Sequence, residues 1–410
     1  MKRVANNKIL TIFSILTIVL ISLCVLSPVT ANSAGNKPVN IGCLTPLSPP
    51  GDAAAGKRIS WGAELAVKYV NEEMGGVLGG RKLKLFVADD AGTPTEGIGG
   101  FRRLVQQDNV VSVVGQYHSS VAIALTKLSR ELKVPLFSTG ASSAKITESQ
   151  SPYIFSNISL TIDMAAFWVD TIKNMKWKKV AIMGEDSDYG TDLATLTEKY
   201  AKNAGLEVKS IIFPRTSADL TPMLLEIKAW KPDVFVNAGV PPTAYLLTKQ
   251  AADIGLFPKV PMIASYNWCT LPEYWDTVGE KGKYILYVTY FKKGMSTTFL
   301  GDWMISTYKK IHNEDPSYYA LNAFGQVMII AQAINNAQSD DPVKIAEALV
   351  KWPYRDWVGI VEYKDVPGVR WHSIIPPYMM FQITEFKQPF DENKVVWPPK
   401  FGGDGKVVTP

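Results

Sequence analysis

Apolar and polar positions predict strands and helices in turn along most of the chain. The run from 39 to 44 is short and apolar, as in a buried strand. The next segment is predicted to be a helix with Ser60 as N-cap and Gly75-Gly76 as its stop. Its apolar face is formed at helical spacing by Trp61, Leu65, Ala66, Tyr69 and Val70.

The alternation continues to about residue 157 and then starts again. The first unit has predicted strands at 83–87, 110–114 and 135–138, and predicted helices at 101–107 and 119–132. The second has predicted strands at 180–183, 208–213, 234–237, 262–265 and 285–288. Its predicted helices are 164–175, 192–204, 220–230, 243–254, 298–312, 318–337 and 342–352, the last one capped by Asp341 before Pro342. From Gly359 the pattern changes to short strands. This order predicts an α/β protein with two similar lobes, each built on a parallel sheet covered on both faces.

The amino terminus has the pattern of a secretory signal peptide. Lys2, Arg3 and Lys8 precede an apolar run from 9 to 26, and Val29-Thr30-Ala31 offers small residues for cleavage. We therefore expect a signal peptide over residues 1–31 and a periplasmic or extracellular protein. The apolar run is long enough for an uncleaved membrane anchor as well, so both fates stay open.

Length and charge narrow the class of protein. A body of this size exceeds one hydrophobic core, which favours two domains. The chain has 43 basic and 38 acidic side chains, and removal of the leader leaves 40 and 38. This near-neutral balance gives no reason to expect nucleic acid or an anionic membrane surface as partner. Cys43 and Cys269 remain after the leader, and either a disulfide or two buried thiols is compatible with an oxidising compartment.

Candidate chemistry lies where the predicted strands end. In open α/β sheets, ligands bind beyond the carboxyl ends of the strands. Hydroxyls and glycines occupy these positions in the first unit, at 115–120 and 139–143. Aromatic and polar side chains occupy them in the second unit, at 184–190, 238–242 and 265–268.

Ser119 and Ser142 stand at the starts of predicted helices, where free N–H groups and the helix dipole favour an anion such as a carboxylate. The alternative is that each serine only caps its helix. Two such loops on adjacent strand ends would face the same crevice, which favours a ligand site.

Several stretches resemble the periplasmic binding proteins of the leucine/isoleucine/valine-binding type, which serve ATP-driven importers. They lie, in order, at 62–67, Asn71, 75–81, Asp89-Asp90, 119–120, 135–142, 188–190 and 232–234. The resemblance implies a type I fold with two Rossmann-like lobes, three hinge crossings and closure on the ligand. It places residues 38–157 and about 290–370 in lobe 1, and 158–289 and about 371–410 in lobe 2. It also implies a membrane permease as partner, a monomer and no cofactor.

The resemblance assigns site residues where positions match. Ser119 or Ser120 would hold a ligand carboxylate together with the backbone of Gly140 and Ala141 and the hydroxyl of Ser142. The other candidate ligand contacts are Tyr117, His118, Tyr189, Val240, Tyr266 and Tyr319.

Three departures from the family pattern bear on the ligand. Tyr266 stands where amino-acid binders place a carboxylate for the ligand ammonium, Val240 where they often have a tyrosine, and Ala55 where an aromatic is common. An ammonium buried without an acidic partner is costly. The predicted ligand is therefore a small carboxylate, either an amino acid or an aromatic or other organic acid without an amine.

Catalytic patterns are incomplete. Residues 51–57 match the front of a P-loop, but Arg58 stands where Ser or Thr is required, so a polar loop is expected there. His118, His312 and His372 lack metal-ligand spacing. We expect binding without chemistry and no metal. A sensor component of the same fold and an extracellular hydrolase are the alternatives, the latter needing a nucleophile–base–acid set.

Overall fold

The computed structural model describes residues 37–292, 295 and 297–410. The predicted signal peptide, 1–31, lies outside these residues. Within the described part of the chain, no helix has the length and apolar character needed to cross a bilayer.

The first sheet is entirely parallel, with strand order β2-β1-β3-β4-β5. Its strands are β1 (Val39–Thr45), β2 (Leu83–Asp89), β3 (Val113–Gln116), β4 (Leu136–Ser138) and β5 (Ile154–Ser156). Six of the seven residues of β1 are buried, as expected of a strand covered on both faces.

Helices from two separate parts of the chain pack on this sheet. The early ones are α1 (Ala53–Glu72), α2 (Pro94–Gln106), α3 (Ser119–Leu132) and α4 (Ala144–Glu148). The late ones are α10 (Phe299–His312), α11 (Tyr318–Ala337) and α12 (Pro342–Lys351). The almost fully buried α11 packs along α1, where Gly62 allows close approach because a Cβ there would meet the Ala320 carbonyl oxygen at 2.1 Å.

The second sheet is mixed, with strand order β14-β13-β10-β9-β8-β6-β7. Its parallel strands are β6 (Lys179–Glu185), β7 (Glu207–Phe213), β8 (Val234–Ala238), β9 (Met262–Ala264) and β10 (Leu286–Thr289). β13 (Met379–Gln382) pairs antiparallel with β10, and β14 (Lys394–Trp397) pairs antiparallel with β13 at the edge of the sheet. α5 (Thr161–Asn174) precedes β6, and the helices between the strands are α6 (Asp188–Asn203), α7 (Thr221–Trp230), α8 (Thr243–Asp253) and α9 (Pro272–Val278). A separate ribbon pairs β11 (Tyr354–Arg355) with β12 (Ile360–Val361).

The chain passes between the two sheets three times: after β5, after β10 and between β12 and β13. On the third passage, residues 372–374 run beside β5, with the Ser156 N–H donating to the His372 carbonyl oxygen and the Ile374 N–H donating to the Ser156 carbonyl oxygen. Residues 38–410 form one compact unit. The residue boundaries of the lobes given above stay a prediction.

Most predicted elements are confirmed, with ends shifted by a few residues, and α3 and α11 have the predicted bounds. The predicted start of the first helix is wrong. α1 begins at Ala53, and its N-cap is Asp52, whose side chain accepts the Ala55 N–H, so Ser60 lies inside the helix. Most of the expected polar loop at 51–57 is therefore helical.

The two cysteines are free buried thiols, so the structure favours the thiol alternative over the disulfide. Cys43 lies in β1 of the first sheet, and Cys269 follows β9 of the second. Burial raises the pKa of both thiols, which keeps them protonated and unreactive in the folded protein.

Candidate ligand-binding site

A cavity lies between the carboxyl ends of the strands of the two sheets and the start of α11. It is lined by Tyr117, His118, Ser119, Ser120, Gly140, Glu185, Ser187, Tyr189, Val240, Ser265, Tyr266, Trp268, Tyr318 and Tyr319. The volume open to the centre of a water molecule is about 20 Å³, which is room for about one water. The two sheets therefore approach each other closely here.

Ser119 connects the loops after β3 and β4. Its Oγ accepts the N–H groups of Ser142 and Ser143, each at 3.2 Å. The N-cap of α3 is His118, so Ser119 is the first residue of the helix and not its cap. Ser143, not Ser142, caps the short helix α4. The capping alternative is thus wrong for both Ser119 and Ser142.

The N–H groups of Gly140 and Ala141 are already used within the first lobe. Both donate to the Gln116 carbonyl oxygen, at 2.9 and 3.1 Å. Ala141 and Ser142 are fully buried and do not line the cavity. In this conformation, the contact that joins these residues to the Ser119 side of the cavity is the Ser142 N–H bond to Ser119 Oγ.

Gly140 shapes the cavity wall through its missing side chain. A Cβ at this position would lie 2.6 Å from the Tyr117 ring. The Tyr117 hydroxyl donates to Asp52 Oδ2 at 3.1 Å, and its ring packs edge-on against Tyr319. The loop after β4 thus fixes Tyr117 as a rigid surface.

His118 is a neutral acceptor in this site. Burial, together with the positive charge of Arg215, lowers its pKa well below the usual value. Its Nε2 accepts the Asp52 N–H at 3.3 Å, and no hydrogen bond joins it to the Ser119 hydroxyl among the described contacts. This geometry lacks the nucleophile–base pair that a hydrolase would need.

Four tyrosines and a tryptophan form an aromatic wall. The Tyr266 and Tyr318 rings stack with centroids 4.9 Å apart, and Tyr319 packs edge-on against Tyr318. The Tyr266 hydroxyl donates to the Ser159 carbonyl oxygen, so the ring is what Tyr266 presents to the cavity. The buried Tyr319 hydroxyl has no partner among the described residues and is a free donor at this wall. Tyr189 and Trp268 complete the wall.

Glu185, at the end of β6, brings a fully buried carboxylate to the cavity. Oε1 accepts the Ser187 hydroxyl at 2.7 Å, and Oε2 accepts the Val240 N–H and the Thr243 hydroxyl at 3.1 and 3.2 Å. Burial raises its pKa, while Arg215 and these three donors oppose that rise. A carboxylate has about four acceptor positions, so Glu185 has one left for a ligand donor.

Gly190 makes room for Glu185. A Cβ at position 190 would lie 2.6 Å from Glu185 Cγ and 2.4 Å from the Glu185 carbonyl oxygen. The Tyr189-Gly190 pair noted in the sequence therefore does two things: the tyrosine faces the cavity and the glycine admits the acid.

Nine of the eleven predicted site residues line the cavity: Tyr117, His118, Ser119, Ser120, Gly140, Tyr189, Val240, Tyr266 and Tyr319. Ala55, by contrast, is buried in α1 away from the cavity lining. The residues that were not singled out are Glu185, Ser187, Ser265, Trp268 and Tyr318. Four of them lie within the strand-end segments identified in the sequence, and the fifth adjoins Tyr319.

Polar contacts join the two sides around the cavity. Arg58 on α1 pairs with Glu273 on α9 at 3.1 Å and with Glu314 at 2.8 Å. Arg215 donates to the Pro50 carbonyl oxygen at 3.0 Å, and Ser143 donates to Asp192 at 2.9 Å. The contacts with Glu273, Pro50 and Asp192 bridge the cleft in this conformation.

Metal chemistry has no ligand set in the described part of the chain, where no group of three or more His, Cys, Asp or Glu side chains could hold an ion. Asp89 and Asp90 instead accept backbone N–H groups of their own and neighbouring loops.

Comparison with known proteins agrees with this architecture. A family model described as "Periplasmic binding protein" matches residues 38–387. The Leu/Ile/Val-binding protein homolog 7 of Brucella abortus (strain 2308) is 30% identical over 339 residues, covering 78% of this chain and 84% of that protein. An amino acid binding protein of Pseudomonas aeruginosa is 27% identical over 323 residues, covering 76% and 82%.

Solved structures share the fold. The branched-chain amino acid transporter substrate binding protein LivJ of Streptococcus pneumoniae, in complex with isoleucine, matches with a TM-score of 0.77 at 22% identity, covering 88% of this chain and all of that one. A solute binding protein of an ABC transporter from R. palustris, in complex with benzoate, matches with a TM-score of 0.75 at 18% identity, covering 88% and 95%. The predicted two-lobed type I fold is confirmed, and the chain belongs to the periplasmic binding protein family.

Proposed function

We propose that this chain is the extracytoplasmic substrate-binding component of an ABC importer, and that its interlobe cleft binds an amino acid. The ligand carboxylate lies at the start of α3, on Ser119 and Ser120, and the ligand amine lies on Glu185. The aromatic wall covers the side chain. The observation that carries this proposal is the buried Glu185 carboxylate facing the start of a helix across the cavity.

The first-lobe side favours an anion. α3 has fourteen residues, and Ala122 is the first residue whose N–H bonds within the helix, to the His118 carbonyl oxygen. The N–H groups of the first turn and the positive end of the helix dipole therefore point toward the Ser119 and Ser120 hydroxyls. A carboxylate satisfies these groups together.

The second-lobe side favours a cation. A buried acid that faces a cavity is stabilised by an ammonium that pairs with it, and an unpaired anion is expensive. In this proposal Glu185 supplies the acidic partner that Tyr266 does not, and its buried carboxylate supports an amine on the ligand. The tyrosine faces add a cation–π contribution for an ammonium within reach.

Isothermal titration calorimetry with matched ligand pairs tests this function. L-leucine is compared with 4-methylpentanoate, and L-phenylalanine with 3-phenylpropanoate, because each pair differs in the amine alone. We expect the amino acid to bind about tenfold or more tightly in at least one pair, since a lost charged hydrogen bond costs about 1.5–3 kcal/mol.

The variant Glu185→Gln should remove the preference for the amine, whereas Glu207→Gln, an exposed acid at the start of β7, should keep it. Equal binding of both members of every pair, or tight binding of benzoate with no amino acid bound, would contradict the amine site and favour an aromatic acid.

The remaining parts of the proposal concern the membrane partner, the oligomeric state and the export of the protein. The permease recognises the closed form, and the chain acts as a monomer after export by its signal peptide. Amino-terminal sequencing of the exported protein tests the cleavage after Ala31, and co-purification with a membrane permease tests the partner.

A further inference from the structure

A second cavity adjoins the ligand cleft. Its volume open to the centre of a water molecule is about 320 Å³, against about 20 Å³ in the cleft itself. Its lining includes Asn267, Trp275, Thr289, Phe291, Tyr318 and Phe390. Tyr318 lines both cavities, and Asn267 directly follows Tyr266 of the cleft. The same two elements, the loop after β9 and the start of α11, therefore border both spaces.

Two buried polar side chains in the second cavity have no partner. Asn267 is 5% exposed, and neither its buried side-chain oxygen Oδ1 nor its side-chain NH2 group forms a hydrogen bond with any described residue. Thr289 is 1% exposed, and no hydrogen bond of its hydroxyl occurs among the described contacts. Buried polar groups are nearly always paired, so two unpaired groups in one cavity indicate a ligand that pairs them.

The charges around this cavity favour an acceptor. Both acids at its edge are paired with cations, Glu314 with Arg58, which also contacts Glu273, and Asp315 with Lys309 at 2.9 Å. Lys387 lines the cavity with its ammonium 3.9 Å from Asp276. Ser317, which caps α11, lies on the lining as well, so the positive end of this twenty-residue helix is directed there.

We propose that the second cavity is a distal subsite of the ligand cleft, which takes the end of a long amino-acid side chain that terminates in a carboxylate or carboxamide. The inference rests on the proposed function, since the α-carboxylate and amine stay at Ser119 and Glu185. The side chain passes the Tyr266–Tyr318 pair, and its terminal oxygens accept hydrogen bonds from the Asn267 amide and the Thr289 hydroxyl.

Calorimetry with two seven-carbon probes tests the subsite. L-2-aminopimelate and L-2-aminoheptanoate have the same chain length and differ in the terminal carboxylate. We expect L-2-aminopimelate to bind about tenfold more tightly, and Asn267→Leu to remove about that factor. Thr289→Val, which keeps the shape of the side chain, should reduce the preference by a smaller factor and guards against a folding defect at Asn267.

L-leucine is the control for the cleft itself, because it is too short for the distal subsite. Its dissociation constant should be unchanged in both variants. If L-leucine binds and L-2-aminopimelate gains nothing over L-2-aminoheptanoate, the subsite is refuted and the proposed function stands. If none of the amino acids binds, both are refuted.

Discussion

The guanidinium of Arg58 lies 3.1 Å from the Glu273 carboxylate, and this ion pair joins α1 of one lobe to α9 of the other. Arg58 is almost fully buried, and Glu314 from its own lobe binds it through both carboxylate oxygens. Glu314 thus holds the cation in place, and Glu273 reaches it only when the lobes meet.

Glu273→Gln is expected to weaken ligand binding by favouring the open form. Because the Glu273 side chain is 41% exposed, the pair contributes no more than about 1 kcal/mol, or up to about fivefold in the dissociation constant. Small-angle scattering of the free protein should show a larger mean radius of gyration for the variant. Lys68→Gln, which removes an ion pair within α1, is the control. An unchanged dissociation constant and radius would show that the pair does not affect closure.

Ser119 and Ser142 are expected to behave differently although both were predicted to bind the ligand. Ser119→Ala removes the acceptor of two buried N–H groups and a hydroxyl of the cavity, so we expect a loss of about 1–3 kcal/mol in unfolding free energy as well as weaker ligand binding. Ser142→Ala removes a buried hydroxyl that does not line the cavity, so its effect on binding should be small. Chemical denaturation and calorimetry measure both quantities. A larger binding defect in Ser142→Ala would reverse this assignment.

Asp90 is expected to make the protein less stable as pH rises. Burial raises the pKa of this carboxyl to about 7, whereas in the unfolded chain it titrates near 4. The folded state therefore keeps the proton longer, and stability falls between about pH 4 and pH 7. Asp90→Asn removes this contribution, so the wild type should lose up to about 3 kcal/mol more than the variant across that window.

The test compares how unfolding free energy changes with pH in the wild type and in Asp90→Asn. This comparison is needed because burial lowers the pKa of His118 and His372, and these two groups make the folded state more stable as pH rises. Denaturation at pH 5 and pH 8 measures it. The exposed Glu131→Gln is the control. Parallel pH profiles for wild type and Asp90→Asn would show that Asp90 titrates normally.

Counting reactive thiols is expected to test both the burial of the cysteines and the cleavage of the leader. Cys43 and Cys269 are buried and protonated, so Ellman's reagent should label no thiol in the native exported protein. After unfolding in guanidinium, two thiols should react if the leader is cleaved and three if Cys24 is retained. Labelling of the native protein would contradict the buried position of the thiols, and zero labelling after unfolding would reveal a disulfide.

The spacing of apolar residues predicted the order of strands and helices, because burial of one or both faces of an element sets that spacing within the element itself. The start of α1 was missed since Ala53-Ala54-Ala55 carries no apolar period, and its signal is the Asp52 cap. β5 was missed for a different reason. It has three residues, and its pairing with β4 and with residue 373 comes from distant parts of the chain.

Within the site, the sequence indicated which loops meet but not what each side chain does there. The Glu185 carboxylate is held by Val240 and Thr243, more than fifty residues away, and only the packing of β6 beside β8 brings them together. Tyr266 was predicted only as a ligand contact, and the sequence did not indicate that its hydroxyl donates to the Ser159 carbonyl oxygen. Hydrogen bonds of this kind are set by tertiary structure and leave no pattern in a single sequence.

The Ser119 hydroxyl fixes the loop after β4 to the start of α3. This link implies that ligand association and ligand dissociation depend on different lobes. In the proposed site, the hydrogen bonds that hold Ser119 lie within the first lobe and need no ligand, whereas Glu185 and Tyr266 belong to the second lobe and would contact the ligand on closure. Encounter therefore depends on the first lobe and retention on the second, so changes at Ser119 should slow association and changes at Glu185 should speed dissociation. Opening the second lobe would then release the bound molecule with the first-lobe half of the site left intact for the next one.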